Sequence, residues 1–383
     1  MKIATLTWYR GNNYGSILQA YALPTVVRSM GYDCEILAYT PTKIDNWKMK
    51  FKNRAFREFV EYKVNELCMK ISHRKVDAAA GQLQVFESFR KEQMQISPIC
   101  STAEELRAAN KRYDAFICGS DQIWNPSVFD PVYFLNFVPE AHRKIAYAPS
   151  LGVSRIPAHV RNDMKKVASS FTMLSVREQK GADLLRELTG LNAKVVVDPT
   201  LLLTRKQWEC IAKPVNADTK KPYLFCYFLS ENKEYMEHAR RIAAQLGLKI
   251  RMLPMVAADF AKPETIKTPV GPGEWITLIQ NADFVLTDSF HCTVFSIIFG
   301  RSFYTLQRFA ENDVKGQNSR VHQLLQRSLL KERLLTDASI NAYSRLSDER
   351  CRSAYEALKP WIADSEHWLS AQLATVERSL KHD

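Results

Sequence analysis

No apolar run in the chain reaches the roughly 18 residues that a membrane-crossing helix requires, and Met1 leads straight into the strand-like Ile3-Ala4-Thr5-Leu6-Thr7 in place of a signal peptide. A cytoplasmic protein is the expectation. The eight cysteines, at 34, 68, 100, 118, 210, 226, 292 and 351, include no Cys-x-x-Cys pair, and Cys118 and Cys226 lie inside apolar runs. Reduced, mostly buried thiols follow from that pattern. The eight histidines lack His-x-x-x-His and His-Glu-x-x-His spacing, so no metal site is expected. Neither a Gly-x-Gly-x-x-Gly fingerprint nor a Walker A loop is present, and no bound cofactor is expected. There is no repeat of 20 to 50 residues and no low-complexity tract, which excludes a solenoid.

What remains is an ordinary globular composition, with 46% hydrophobic and 25% charged residues in 383. At roughly 100 to 200 residues per domain, that length supplies two cores. A net charge of +12 suits nucleic acid, an anionic membrane face or phosphorylated substrates. Between Lys43 and Lys75, ten Lys or Arg stand against four acids, interleaved with Trp47, Phe51, Phe56, Phe59 and Tyr62. Such an arm either rests on an anionic membrane surface, which would hold the protein at the inner face of the membrane, or packs its aromatic side on the domain.

The chain opens as strand 3–7, a polar loop at Arg10 to Gly15, a helix from Ser16 to Met30 and a strand from Cys34 to Tyr39, with Pro24 expected to kink or break the helix early. Strands at 115–118, 144–148, 171–176 and 194–197 alternate with helices at 158–169 and 178–189, which implies a parallel sheet covered on both faces. Thr204 to Lys221, with Pro214 and then Pro222, reads as a linker. A second alternating set follows, with strands at 223–228, 249–253, 284–287 and 302–306 and helices at 232–246, 273–281 and 291–299. The expected fold is α/β with two Rossmann-like, doubly wound parallel-sheet domains. The first spans 1–203 and carries the basic helical insertion at about 43–110; the second spans 222–335; helices at 336–383 pack back on the body through Trp361 and Trp368. Ligands are then expected in the cleft between the lobes, at the carboxyl ends of the strands.

Five polar clusters lie at such strand ends. Gly11-Asn12-Asn13-Tyr14-Gly15-Ser16 joins the first strand to the first helix, where free N–H groups and the helix dipole favour an anion or a hydroxyl. A plain turn needs glycine but not two Asn and a Tyr, so Asn12, Asn13, Tyr14 and Gly15 are read as ligand contacts. Gly119-Ser120-Asp121-Gln122-Ile123-Trp124-Asn125 follows the strand at 115–118. Here Asp121 is a candidate base or hydroxyl partner, Trp124 a surface for a sugar ring, and Ser120, Gln122 and Asn125 binding residues, against the plainer alternative of a helix cap and a packed ring. Thr287-Asp288-Ser289-Phe290-His291 holds the matching place in the second half, with His291 in a first helical turn that attracts phosphate. Arg177-Glu178 and Asp198-Pro199-Thr200 also leave strand ends, each as a site residue or merely a cap or ion pair, and Arg320 is a candidate phosphate clamp or a surface helix start.

Taken in order and spacing from Lys2 to about Arg320, these motifs resemble the polysaccharide pyruvyl transferases, including Gly-Ser-Asp-Gln-x-Trp-Asn at 119–125, Ser175-Val176-Arg177-Glu178, Asp198-Pro199-Thr200 and Asp288-Ser289-Phe290-His291. The resemblance implies a GT-B-like fold, phosphoenolpyruvate as donor substrate and a hexose acceptor, free or lipid-linked, in a surface glycan such as a capsule or exopolysaccharide. It also implies an acceptor-side first lobe and a donor-side second lobe. On that footing His291 is the general acid or phosphate anchor, Asp121 and Asp288 further catalytic residues, and Arg177 or Arg320 the donor clamp. Many members carry Ser-x-Arg-Leu-His at this helix start; here Ser289 stands where that Arg falls, so either another cation holds the donor phosphate or the donor differs. Two other classes compete. A glycosyltransferase using a nucleotide sugar would hold a diphosphate at the turn 288–291, and a nucleic-acid binder would need a recognised binding motif, which the chain lacks.

Overall fold

The computed structural model describes residues 1–42, 81–215, 222–230, 232–255, 257–309, 318–335 and 343–382. The basic arm at 43–75 lies outside them. Two parallel sheets dominate. The first contains β1 (Lys2–Leu6), β2 (Asp33–Ile36), β3 (Ala115–Cys118), β4 (Lys144–Ala146), β5 (Met173–Val176) and β6 (Lys194–Val195), in the order β2-β1-β3-β4-β5-β6. The second contains β7 (Tyr223–Tyr227), β8 (Lys249–Met252), β9 (Phe284–Thr287), β10 (Phe303–Leu306) and β11 (Leu334–Leu335), in the order β11-β10-β9-β7-β8. Every neighbouring pair is parallel.

Both faces of each sheet are buried, as the near-continuous apolar strands require. Ile3, Ile117 and Ile145 point into a core shared with Phe225, Val285 and Phe303 of the second sheet. Their neighbours Ala4, Phe116 and Ala146 fill an outer core of the first lobe, while Leu224, Phe284 and Leu286 fill that of the second. The two-residue period of a strand thus builds three apolar layers around two sheets. Much of the shared core is aromatic. Tyr14 stacks on Trp275 at 5.5 Å and 9°, meets Tyr227 edge-on at 5.6 Å, and donates its hydroxyl to the Val270 carbonyl at 2.8 Å. Tyr14 is therefore an anchor between the lobes and not the ligand contact expected of it.

The first helix, Tyr14–Ser29, does not break early. It runs through Pro24, whose lost hydrogen bond is outweighed by packing, since Ile17, Leu18, Leu23, Val26 and Val27 are all buried. Within the stretch read as a linker, Thr204 closes a capping box on the short helix Arg205–Glu209, and Trp208 is fully buried. The helix Asp348–Ser379 returns from the second sheet to the edge of the first: Trp361 donates its indole N–H to the Val195 carbonyl, and the Ser365 hydroxyl accepts from the Val197 amide at 3.0 Å. Trp368 lies 6.3 Å from Tyr147. No helix among the described residues is long and apolar enough to cross a membrane.

Each sheet has one place where strand order reverses, between β1 and β3 and between β7 and β9. At such a switch point the two flanking loops leave in opposite directions and open a crevice. The two crevices face one another.

Candidate functional site

The cleft between the lobes, about 210 Å³, is lined from all four switch-point loops: Trp8 and Asn13 after β1, Asp121 and Gln122 after β3, Leu229 after β7, and Asp288, Ser289, Phe290 and His291 after β9. Arg308, two residues beyond β10, and Arg320, in the helix Ser319–Arg327, complete the second wall.

The first wall is tightly constrained. Asn13 caps the first helix by accepting from the Ser16 amide, and Ser16 donates its hydroxyl to Asp121 Oδ2 at 2.5 Å. Asp121 has a φ of 66°, in the left-handed region that non-glycine residues enter rarely and that clusters at functional sites. It is held there by its carbonyl, which accepts from the Ser150 amide at 2.7 Å, and by its carboxylate, which accepts from the Gln122 amide at 2.9 Å. Gly119, at φ +127°, permits the approach, because a Cβ there would run into the Tyr147 carbonyl.

Several expected ligand contacts turn out to be the support of this wall. Trp124 is fully buried, stacked 4.4 Å from Phe134 with its indole N–H donated to the Tyr133 carbonyl, so it offers no face to a sugar. Ser120 is buried too and donates to the Ala148 carbonyl at 2.8 Å. Asn125 caps the turn at Pro126 and donates to Gln122 Oε1 at 3.1 Å, which orients Gln122 on the cleft. Asn12 points away and accepts from Arg90 at 3.2 Å. Glu178 accepts from the Ser150 hydroxyl at 2.9 Å and the Leu151 amide at 3.1 Å, and so fixes the loop behind Asp121.

On the second wall, Ser289 caps the helix Phe290–Ile298 and so places His291 in its first turn. Asp288 accepts from the Leu229 and Ser230 amides at 2.6 and 3.0 Å. Burial raises its carboxyl, and those amides pull it partly back. Asp288 thus braces the turn with one bond to each oxygen while still lining the cleft.

His291 is the meeting point of the lobes. Its Nε2 lies 3.4 Å from Asp198 Oδ2, and the same oxygen receives Arg177 Nη1 at 2.7 Å. The other oxygen accepts from the Thr200 amide and hydroxyl at 3.0 and 2.7 Å. Burial alone would raise the Asp198 carboxyl, but His291, Arg177 and the Thr200 amide outweigh it and hold the group well below the usual carboxylate range. Arg177 is 1% exposed, lies 3.8 Å from Asp121 Oδ1 and packs 4.8 Å from the Phe290 ring. It sits behind the cleft wall as the counter-ion of Asp198, so it is not the donor clamp expected of it. Arg320 and Arg308 are the cations on the cleft. Burial, with repulsion from Arg177, lowers the Arg320 guanidinium to about 10, which leaves it charged at neutral pH.

Sequence reasoning thus brought Asn13, Asp121, Gln122, Ser289, His291 and Arg320 to one cleft and missed Trp8, Ser16, Asp198 as the partner of His291, and Arg308. The signal for Arg308 was its place just past a strand end; Asp198 lies 93 positions from His291, and nothing local announces the pair. Among the described residues no three His, Cys, Asp or Glu side chains gather as metal ligands would.

Gly15 sets how His291 lies. A Cβ at Gly15 would overlap the imidazole, and its backbone has no need of glycine otherwise. Gly15→Ala should therefore displace the ring from Asp198 and lower kcat by roughly 10²-fold, the cost of an ångström-scale misplacement, with the thermal midpoint within a few degrees of wild type. An unchanged kcat would show that the ring's position is immaterial.

Solved structures similar to this chain include the UDP-GlcNAc 2-epimerases of Neisseria meningitidis (9% identity, 100% of both chains, TM-score 0.47) and of Methanocaldococcus jannaschii (13%, 93% of this chain and 92% of the other, TM-score 0.49). The E. coli ADP-heptose LPS heptosyltransferase II is similar at 11% identity, over 96% of this chain and 100% of the other, with a TM-score of 0.39. The likeness is one of fold alone. No curated protein sequence matches the chain. The model of one family, polysaccharide pyruvyl transferase, matches residues 13–308, which takes in β2 to β10 and the cleft residues from Asn13 to Arg308. On that match over most of its length, the chain belongs to the polysaccharide pyruvyl transferase family of transferases.

Proposed function

We propose that the protein transfers the pyruvyl group of phosphoenolpyruvate to two hydroxyls of a hexose, in a surface glycan or its lipid-linked precursor, forming a cyclic ketal. The observation that supports this most is the asymmetry of the cleft. Its second wall carries Arg308 and Arg320 with His291 in a first helical turn, whereas the first wall offers a carboxylate, a hydroxyl and two carboxamides from Asp121, Ser16, Gln122 and Asn13. A donor with phosphate and carboxylate groups suits the first set, and a neutral polyol suits the second.

The steps balance without a further reactant. His291 delivers a proton to C3 of the donor while a sugar hydroxyl adds to C2 and passes its proton to Asp121. The C2–O bond to phosphorus breaks, and the phosphate leaves against the two guanidinium groups. The second hydroxyl then closes on C2. Of the two protons lost by the hydroxyls, one replaces that spent on C3 and the other ends on inorganic phosphate. Ser289 is then no defect, because Arg308 and Arg320 supply the charge that an arginine at 289 would bring.

Thermal shift checks the donor. Phosphoenolpyruvate at about 100 times its Kd should stabilise the protein by about 2.7 kcal/mol, with no comparable effect of UDP or CMP sugars, and Arg308→Ala should remove most of the shift. Stabilisation by a nucleotide sugar in place of phosphoenolpyruvate would favour glycosyl transfer instead.

A further inference from the structure

We propose that Trp8 is the platform on which the acceptor sugar ring lies, with Asp121 and Gln122 reading its hydroxyls; the identity of that sugar as a pyruvyl acceptor rests on the function proposed above. A pyranose has an apolar face of C–H groups and an equatorial belt of hydroxyls, so its recognition calls for an aromatic ring beside carboxylate and carboxamide groups. The first wall provides that combination in Trp8, Asp121 and Gln122.

Among the aromatic rings on the cleft, Phe290 lies against Arg177 and Arg320 at 4.8 and 5.8 Å, and Phe309 against Arg308 at 5.2 Å. These rings are covered by cations on the donor side. Trp8 is partly exposed and belongs to the opposite wall with Asp121 and Gln122. It is also held in place. Its ring meets Tyr133 edge-on at 6.4 Å and 87°, and its carbonyl accepts from buried Gln19 at 3.4 Å. Tyr133 in turn packs edge-on against Tyr39 at 5.6 Å. A large flat ring fixed before the ligand arrives loses little conformational freedom on binding.

The position also fits the chemistry. Asp121 is the neighbour that would take the hydroxyl proton, so a ring lying on Trp8 presents its hydroxyls to Asp121 and, across the cleft, to the donor held by Arg308 and Arg320. Trp8 thus sets which hydroxyl pair reaches C2, through the way the ring lies on it.

The test measures binding and turnover separately. Methyl glycosides of galactose, glucose and mannose are titrated into the protein by intrinsic fluorescence and calorimetry, alongside phosphoenolpyruvate. At least one glycoside should perturb wild-type fluorescence. Trp8→Phe should retain part of the affinity while losing the fluorescence change, and Trp8→Ala should weaken glycoside binding roughly 10- to 100-fold while phosphoenolpyruvate binding stays within roughly twofold. Undiminished glycoside binding by Trp8→Ala, an equal loss of phosphoenolpyruvate binding, or no glycoside binding by the wild type would each overturn the assignment. Trp8-dependent glycoside binding in a protein that releases no phosphate from phosphoenolpyruvate would retire the donor reading and leave the platform standing.

Discussion

His291→Gln is expected to lower kcat for the proposed pyruvyl transfer by roughly 10²- to 10⁴-fold, the range over which a positioned acid or base contributes, while the Kd for phosphoenolpyruvate, the proposed donor, changes by less than about tenfold. Glutamine fills the space and keeps a polar end but cannot exchange a proton with the donor. The fold should tolerate it, since Asp198 retains Arg177 at 2.7 Å and its two bonds from Thr200. The same substitution distinguishes the two roles open to this residue. A phosphate anchor would show its loss in the Kd, and an acid in kcat alone. Phosphate release from phosphoenolpyruvate with a nitrophenyl hexoside, measured at saturating donor, reads the difference. Full activity in the variant would remove His291 from the mechanism.

Much of the scaffold was legible because parallel strands buried on both faces leave a plain signature. Ala115 to Cys118 and Phe284 to Thr287 read as strands from their apolar runs, and the polar groups that follow each one mark the ligand end of the sheet. Local patterns do not tell which member of such a group faces the ligand. Trp124 and Trp8 both follow a first-lobe strand; Phe134, brought in by the turn at 131–134, and Phe171 bury the former, and no spacing in the sequence encodes those contacts. Tyr14 is a similar case, because its partner Trp275 comes from the other lobe. β11, two residues long, joins the second sheet by pairing with Thr305 and Leu306 and is too short to carry a period.

The arginines make the point in terms of charge. Arg177 and Arg308 closely follow strand ends and Arg320 lies in the first turn of the helix Ser319–Arg327, and by residue type the three are interchangeable in the sequence. Burial separates them. Arg177, 1% exposed, needs a carboxylate and has Asp198; Arg320, 9% exposed, lines the cleft; Arg308 is exposed and lies at its mouth. A guanidinium taken fully from water is retained only where a partner offsets its desolvation, so the most buried of the three is also the least available to a substrate.

That dependence gives the second large effect. Asp198→Asn should destabilise the protein by about 3 kcal/mol, because the buried Arg177 charge loses its partner at 2.7 Å and keeps only the more distant carboxylates of Asp121 at 3.8 Å and Glu178 at 4.0 Å. The carboxylate is held well below its ordinary range by His291 and Arg177, against the opposing effect of burial. A group with a depressed folded-state pKa contributes stability that is fully present above its unfolded value, roughly 3.9 for Asp, and is lost as the pH falls toward the folded value. The gap between wild type and Asp198→Asn in urea unfolding should therefore be constant from about pH 6 to 8 and narrow on acidification below about pH 4. Removing the charge as well, in Arg177→Met combined with Asp198→Asn, should recover part of the loss, which a double-mutant cycle measures as coupling between the two. Activity should not return with stability in that double variant, since His291 would still lack the carboxylate 3.4 Å from its Nε2. A destabilisation under about 1 kcal/mol for Asp198→Asn would mean that the pair carries no more than an exposed salt bridge does, and the placement of Arg177 behind the wall would have to be abandoned.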